Sequence, residues 1–183
     1  IGLEGIMVVG GFSGLLVLKA LNSTSIHPIF VVILTILTSI IVGMLYSSLL
    51  AVACIKFKAD QTLVGTALNL LATSVALIFT KRLTGGASTT INYDKSAFVS
   101  IFGNFNFNIF LFLGIIILVA SIIVLYKLKF GLRLRACGEN PSAADSVGIN
   151  VNAYRYVGVL ISGALGGLGA LAYIIPTSSY WNS

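Results

Sequence analysis

Charge is the scarcest commodity in this sequence. Only 9% of its 183 residues are Asp, Glu, Lys or Arg, against about a quarter in an ordinary soluble domain. With 57% hydrophobic residues and a mean hydropathy of +1.04, the chain has more apolar surface than a soluble core can hide. That excludes a soluble globular domain and indicates an integral membrane protein. Metal-ligating residues are equally few. His27, Cys54 and Cys137 are the complete set of histidines and cysteines, and without ligand spacing they exclude a metal site. Neither paired carboxylates nor a nucleophile–base set occurs in an apolar context, and GxxxxGK[ST] is missing, so catalysis and nucleotide binding by this chain are excluded and no cofactor is expected. The net charge of +6 comes without a basic patch interleaved with stacking aromatics. It therefore points to membrane topology and not to nucleic acid. No basic region precedes the first apolar run, so no cleavable leader is expected there. A start at Ile1 inside an apolar pattern and a stop at Ser183 just beyond another predict a fragment cut at both ends.

What the sequence does contain is apolar runs of membrane length. The first covers 1–21, interrupted by Glu4 and Lys19, with Gly10, Gly11 and Gly14 as a small-residue face for close packing. The second covers 29–55 and the third 62–80, whose Thr66, Asn69, Thr73 and Ser74 predict a polar face. The fourth, 109–126, is almost free of polar side chains and is expected to face lipid. The fifth, 157–175, carries the pair Gly163 and Gly167, and a second small pair in Gly166 and Ala170, so it should be a close-packed helix. These runs predict an all-α polytopic bundle of about five spans, one transmembrane domain over 1–183.

The connections divide by charge. With five alternating spans, the turn KFKADQ (56–61) and the stretch 127–156 share one side. That side holds Lys56, Lys58, Lys127, Lys129, Arg133, Arg135 and Arg155, whereas Lys19, Lys81, Arg82 and Lys95 fall on the other. The richer side is assigned to the cytoplasm, which makes both cysteines reduced thiols. NSTSIHP, the long loop 81–108 and the terminal TSSYWNS then lie outside. Tyr93, Phe98, Phe102, Phe105 and Phe107 suggest an interfacial segment, and Tyr180 and Trp181 an aromatic belt.

Within the cytoplasmic stretch, Gly131 to Tyr156 holds five of the sixteen charged residues. A short helix is expected there, with Asn140 as N-cap, Pro141 in the first position and Gly148 just past the end. Ala143, Ala144 and Val147 would form a small apolar face, and Glu139 and Asp145 would flank it. Two turns are not stable alone, so the helix must lean on something, and it is a candidate for docking a partner. An uncomplicated capped loop remains the alternative. Two further features could serve transport beside this stretch. Glu4 is an acid within an apolar run. The Gln61–Asn69 segment, with Thr66, offers amide and hydroxyl groups to a neutral polar ligand, or else simply bonds neighbouring helices.

The stretch GLRLRACGENPSAADSVGINVNAYRYVGVLISGALGGLGALAY closely resembles the cytoplasmic loop and following helix of bacterial ABC-importer permeases of the branched-chain amino acid, ribose and nucleoside type. IGLEGIMVVGGFSG and KADQTLVGTALNLLA look like the nucleoside and simple-sugar branch. Ribose permeases instead have a glycine-rich sequence ending in Asp-Leu-Ser where this chain has IGLEG. The resemblance implies one of two membrane subunits, identical or paralogous, that form a translocation pathway for nucleosides or related sugars. A cytoplasmic ATPase pair would dock on GENPSAADSVGI, at Glu139, Asn140, Pro141, Ala143, Ala144, Asp145, Val147 and Gly148. An extracytoplasmic lipoprotein or periplasmic protein would deliver the solute. IGLEG would belong to an interrupted helix near the pathway, and the location would be the bacterial plasma membrane. The rival is an ATP-independent secondary transporter or channel. That needs paired or ion-coupled charges inside the spans, which this sequence lacks, and not a solvent-facing docking helix, which it has.

Overall fold

The computed structural model describes residues 2–22, 27–84, 90–92, 109–177 and 180–182. Helix α1, Leu3–Asn22, follows Gly2, whose φ of +82° belongs to the region glycine favours. Glu4 in its first turn and Lys19 in its last both complement the helix dipole. Helix α2, Pro28–Ala51, begins with the proline at its first position and winds on through a π-helical turn, Val52–Lys56. Lys58, at φ 52°, reverses the chain, and Asp60 caps α3, Gln61–Leu83. The Asp60 carboxylate accepts from the Thr62 amide at 2.8 Å and from the Thr62 hydroxyl. These two bonds, with a third from the Leu63 amide, hold its pKa below the usual carboxylate range.

Helix α4, Ile109–Lys127, breaks at Leu128, and α5, Lys129–Glu139, leaves it at 76°. Gly131 makes this elbow possible: a Cβ there would collide with the backbone of Val124 and Leu125. Helix α6, Pro141–Ser146, and helix α7, Val151–Thr177, complete the helices among the described residues. Two strands of three residues, β1 (Thr90–Asn92) and β2 (Tyr180–Asn182), pair antiparallel, with Ile91 opposite Trp181. The polar stretch 127–156 is thus mostly helical and not an open loop, and α7 starts six residues before the expected span because Asn150 caps it through the Ala153 amide. Tyr93, Phe98, Phe102, Phe105 and Phe107 lie outside the described residues.

Among the described residues, α1, α2 with its π-turn, α3 and α7 are long and apolar enough to cross a membrane, and α4 with α5 makes a fifth if the bent pair is one span. The chain is a multi-pass membrane protein built as an all-α bundle. It divides into two compact units: Ile1–Asn104 with Leu160–Ser183, and Phe105–Val159. In the first, α1 packs against both α2 and α3, around Ile6, Tyr46 and Ala72. The Tyr46 hydroxyl ties α2 to α3 by donating to the Leu68 carbonyl at 2.6 Å. Many large apolar side chains of α2 and α3 point outward, such as Leu37, Leu45, Leu63 and Leu70; hydrocarbon accepts such a surface without penalty. The second unit has its own small core of Cys137, Ala144 and Val151, lined by Ile149 and Tyr154.

Candidate functional site

The start of α1 lies on α3. Gly65, Asn69, Ala72 and Ala76 recur at helical spacing on α3, and the three small ones are buried. Small residues on α1 meet them: a Cβ on Gly2 would lie 3.5 Å from the Gly65 Cα, and one on Gly5 3.1 Å from the Asn69 Cα. This close approach lets the Asn69 side chain reach the amino end of α1, where helix amides have no partner of their own. Its Oδ1 accepts from the Gly5 amide at 2.8 Å, and its Nδ2 donates to Glu4 Oε2 at 3.3 Å. The amide group is therefore oriented at both ends. Asn69 and Glu4 are 65 residues apart in sequence.

Of the four residues considered for a pathway, Glu4 and Asn69 are brought together. Thr66 stands on the exposed flank of α3, its hydroxyl turned back to the Thr62 and Leu63 carbonyls at 3.0 Å. Gln61 is the first residue of α3 and exposed, about 12 Å along the axis from Asn69. The polar face expected of α3 is divided: Asn69 faces α1, while Thr73 and Ser74 bond carbonyls of their own helix. Gly2 and Gly5 were not singled out from the sequence. The signal was their place one turn apart around Glu4.

Helices α1, α2 and α7 meet tightly further along. Thr35, Ser39, Gly43 and Ser47 recur every fourth residue on α2, a small-residue stripe that is buried throughout. Gly163 and Gly167 of α7 face it. A Cβ on Gly163 would overlap Ser47, one on Gly167 would overlap the Ser39 carbonyl, and one on Gly43 would sit 2.5 Å from the Gly163 oxygen. Gly10 of α1 completes the junction, its missing Cβ 3.0 Å from the Gly167 Cα. The fully buried Ser39 hydroxyl lies 2.8 Å from the carbonyl oxygens of both Gly10 and Gly167, so its one proton is shared between two helices. Gly166 packs on Ile6 and Leu3. The stripe on α2 went unread because it contains no charge; its regular spacing was the available signal.

In the second unit, α6 is capped at both ends. Asn140 Oδ1 accepts from the Ala143 amide at 3.2 Å and from the Ser142 hydroxyl at 2.7 Å. At the other end Gly148, at φ +82°, turns the chain so that its amide meets the Asp145 carbonyl at 2.9 Å and the Ile149 amide meets the Ala144 carbonyl at 3.1 Å. This is a Schellman closure, with Ile149 and Ala144 in apolar contact as that motif prefers. The small apolar face is split. Ala144 is 5% exposed and packs inward on Cys137 and Val151, whereas Ala143 is exposed and Val147 is 78% exposed. Glu139 and Asp145 are also exposed. An outside partner would therefore meet Ala143, Asp145 and Val147, and Ala144 belongs to the chain's own core.

Comparison with known proteins follows the same lines. The chain is 39% identical over 183 residues to the nucleoside ABC transporter permease protein NupC of Lactococcus lactis, covering 94% of this chain and 57% of that protein. It is 36% identical over 186 residues to the guanosine ABC transporter permease protein NupQ of Bacillus subtilis, again 94% of this chain and 57% of that one. A probable branched-chain amino acid transport permease protein, LivH of Methanocaldococcus jannaschii, is 38% identical over 77 residues, 37% of this chain and 24% of that one. The chain thus spans a little over half the length of the two nucleoside-type relatives. No solved structure matches. The family model described as branched-chain amino acid transport system / permease component matches residues 1–183, and with apolar spans, glycine-stripe junctions and a capped polar helix between spans, the chain belongs to that permease family.

Proposed function

We propose that this chain is the membrane-embedded part of a permease subunit of an ATP-binding cassette importer for nucleosides or closely related sugars. It would work with a second permease subunit, cytoplasmic ATPase subunits and an extracytoplasmic solute-binding protein. The observation that carries the reading is the similarity, over 94% of the chain, to two permeases whose names specify nucleoside and guanosine. The Glu4–Asn69 pair supports it chemically. A carboxylate is acceptor-only when ionised, so Glu4, oriented by Asn69, suits a solute rich in donors, such as ribose hydroxyls or the N–H groups of a base. Asn69 fixes the pair, and the exposed hydroxyl of Thr66 stands on the same helix nearer the cytoplasmic turn. Gln61 would contribute at most at the mouth.

A charge-exchange experiment tests this role. Asn69→Asp keeps the acceptor for the Gly5 amide but loses the donor to Glu4, and Glu4→Gln loses the charge. Each single variant should reduce nucleoside uptake at least about tenfold, which corresponds to about 1.4 kcal/mol, with normal amounts of protein in the membrane. The double variant Glu4→Gln, Asn69→Asp restores a donor–acceptor pair and should recover part of the uptake. Normal uptake in both single variants would remove this pair from the pathway.

In the cytoplasm, α6 would transmit the ATPase stroke. Its two caps make it rigid, and its outward Ala143 and Val147 are small enough for close approach. Glu139 and Asp145 would steer docking to a basic groove more than tighten it.

A further inference from the structure

Helix α5 is an amphipathic element that the transport reading does not use. We infer that it is a docking strip for anionic phospholipid headgroups on the membrane surface. The argument begins with depth. The apolar α4 ends at Lys127, and α5 starts two residues later at 76° to it. Over its 11 residues α5 therefore advances only about 4 Å along the axis of α4. A helix that leaves the hydrocarbon and turns this sharply stays at the depth where it emerged.

Its surface suits that depth. Phe130, Gly131, Leu134 and Cys137 form the side turned into the unit. The outer side presents Leu128 and Leu132, the latter 63% exposed, with Tyr126 at the elbow. Around them stand Lys127, Lys129, Arg133 and Arg135, all exposed, against the single acid Glu139. Two of the cations are oriented by aromatic partners. The Arg135 guanidinium lies 4.5 Å from the Tyr126 ring centroid, and Arg133 Nη1 donates to the Tyr154 hydroxyl at 3.3 Å. Exposed leucines bracketed by long cations are what an in-plane helix needs: the leucines enter the acyl boundary and the cations meet phosphates. Four cations in nine residues just beyond a span select an anionic headgroup over a zwitterionic one.

The intact permease carrying Leu132→Trp, placed in nanodiscs, tests this. Quenching of the added tryptophan, corrected for the unsubstituted protein, is compared for brominated phosphatidylglycerol and brominated phosphatidylcholine at equal mole fraction. Acyl-chain bromine should quench in both cases if α5 lies in the surface. Phosphatidylglycerol should be enriched beside it by roughly fivefold per cation engaged, falling as salt is raised. Lys129→Gln, Arg133→Gln and Arg135→Gln together should remove the preference. Arg133→Lys with Arg135→Lys should keep it, which separates charge from loss of the tyrosine contacts. Equal quenching by the two lipids overturns the proposal. So does a tryptophan that bromine does not quench and that responds only when the ATPase subunit is added, because that face would then be a protein interface.

Discussion

Single side chains hold this bundle where helices come too close for anything larger. Ser39 shares its proton between the Gly10 and Gly167 carbonyls. Interhelical bonds of this kind contribute on average about 0.6 kcal/mol in a membrane, so Ser39→Ala should lower thermal stability in detergent only slightly. Gly167→Leu should cost far more, about 1–3 kcal/mol or above, because the Ser39 backbone, not a movable side chain, occupies the space. Assembly yield and melting temperature measure both; a Gly167→Leu protein as stable as Ser39→Ala would contradict the packing. Asp60 adds a dependence on pH. Its pKa is lowered in the folded protein by the Thr62 hydroxyl and the Thr62 and Leu63 amides. Its capping contribution is therefore complete above the ordinary carboxylate pKa and is lost as pH falls through the lowered value. Asp60→Asn keeps an acceptor, and its melting temperature should be flatter with pH over that acidic range.

At the scale of elements, α6 illustrates how a six-residue helix persists. Alone it could not survive the cost of nucleation. It is held by Asn140 at one end, by the Gly148 turn at the other, and by Ala144 buried on Cys137 and Val151. Two substitutions should therefore differ in kind. Ala144→Arg forces a long cation into that core and should destabilise the segment itself, seen as faster amide exchange across α5 and α6. Val147→Asp changes an exposed residue and should leave exchange unchanged while uncoupling ATP hydrolysis from uptake. If Val147→Asp transported normally, α6 would be only a capped link between α5 and α7. Asn140→Ala should cost about 1 kcal/mol through the lost cap.

For the whole molecule the two short strands carry a topological message. β1 follows α3, β2 follows α7, and they pair, so the carboxyl ends of α3 and α7 are on the same side of the membrane. The chain between those ends must cross an even number of times, and α7 is one of those crossings. The distribution of lysine and arginine predicts that 127–156 is the cytoplasmic side. A cysteine at Ser142→Cys should react with an impermeant reagent only after permeabilisation, and one at His27→Cys in intact cells. Labelling in the reverse sense would invert the orientation.

The sequence by itself determined the class, the approximate position of the spans and the caps of α6, because these depend on local chemistry. Runs of about twenty apolar residues have few alternatives to a membrane helix. Asn140, Pro141 and Gly148 act through neighbours within a few positions, so the ends of α6 were legible. Gly163 and Gly167 could be read as a contact surface, though not what they touch. Tertiary structure decided everything that needed a partner distant in the chain. Only folding places Asn69 against Glu4 and the Gly5 amide, Ser39 between α1 and α7, and Ala144 inward while Val147 faces out. Helical spacing puts Ala143, Ala144 and Val147 near one another, but the direction of burial depends on where α5 and α7 run. The 76° elbow at Leu128 was also invisible, because Gly131 reads equally well as a packing glycine or a loop glycine. Its meaning comes from the Val124 and Leu125 backbone lying where its side chain would be.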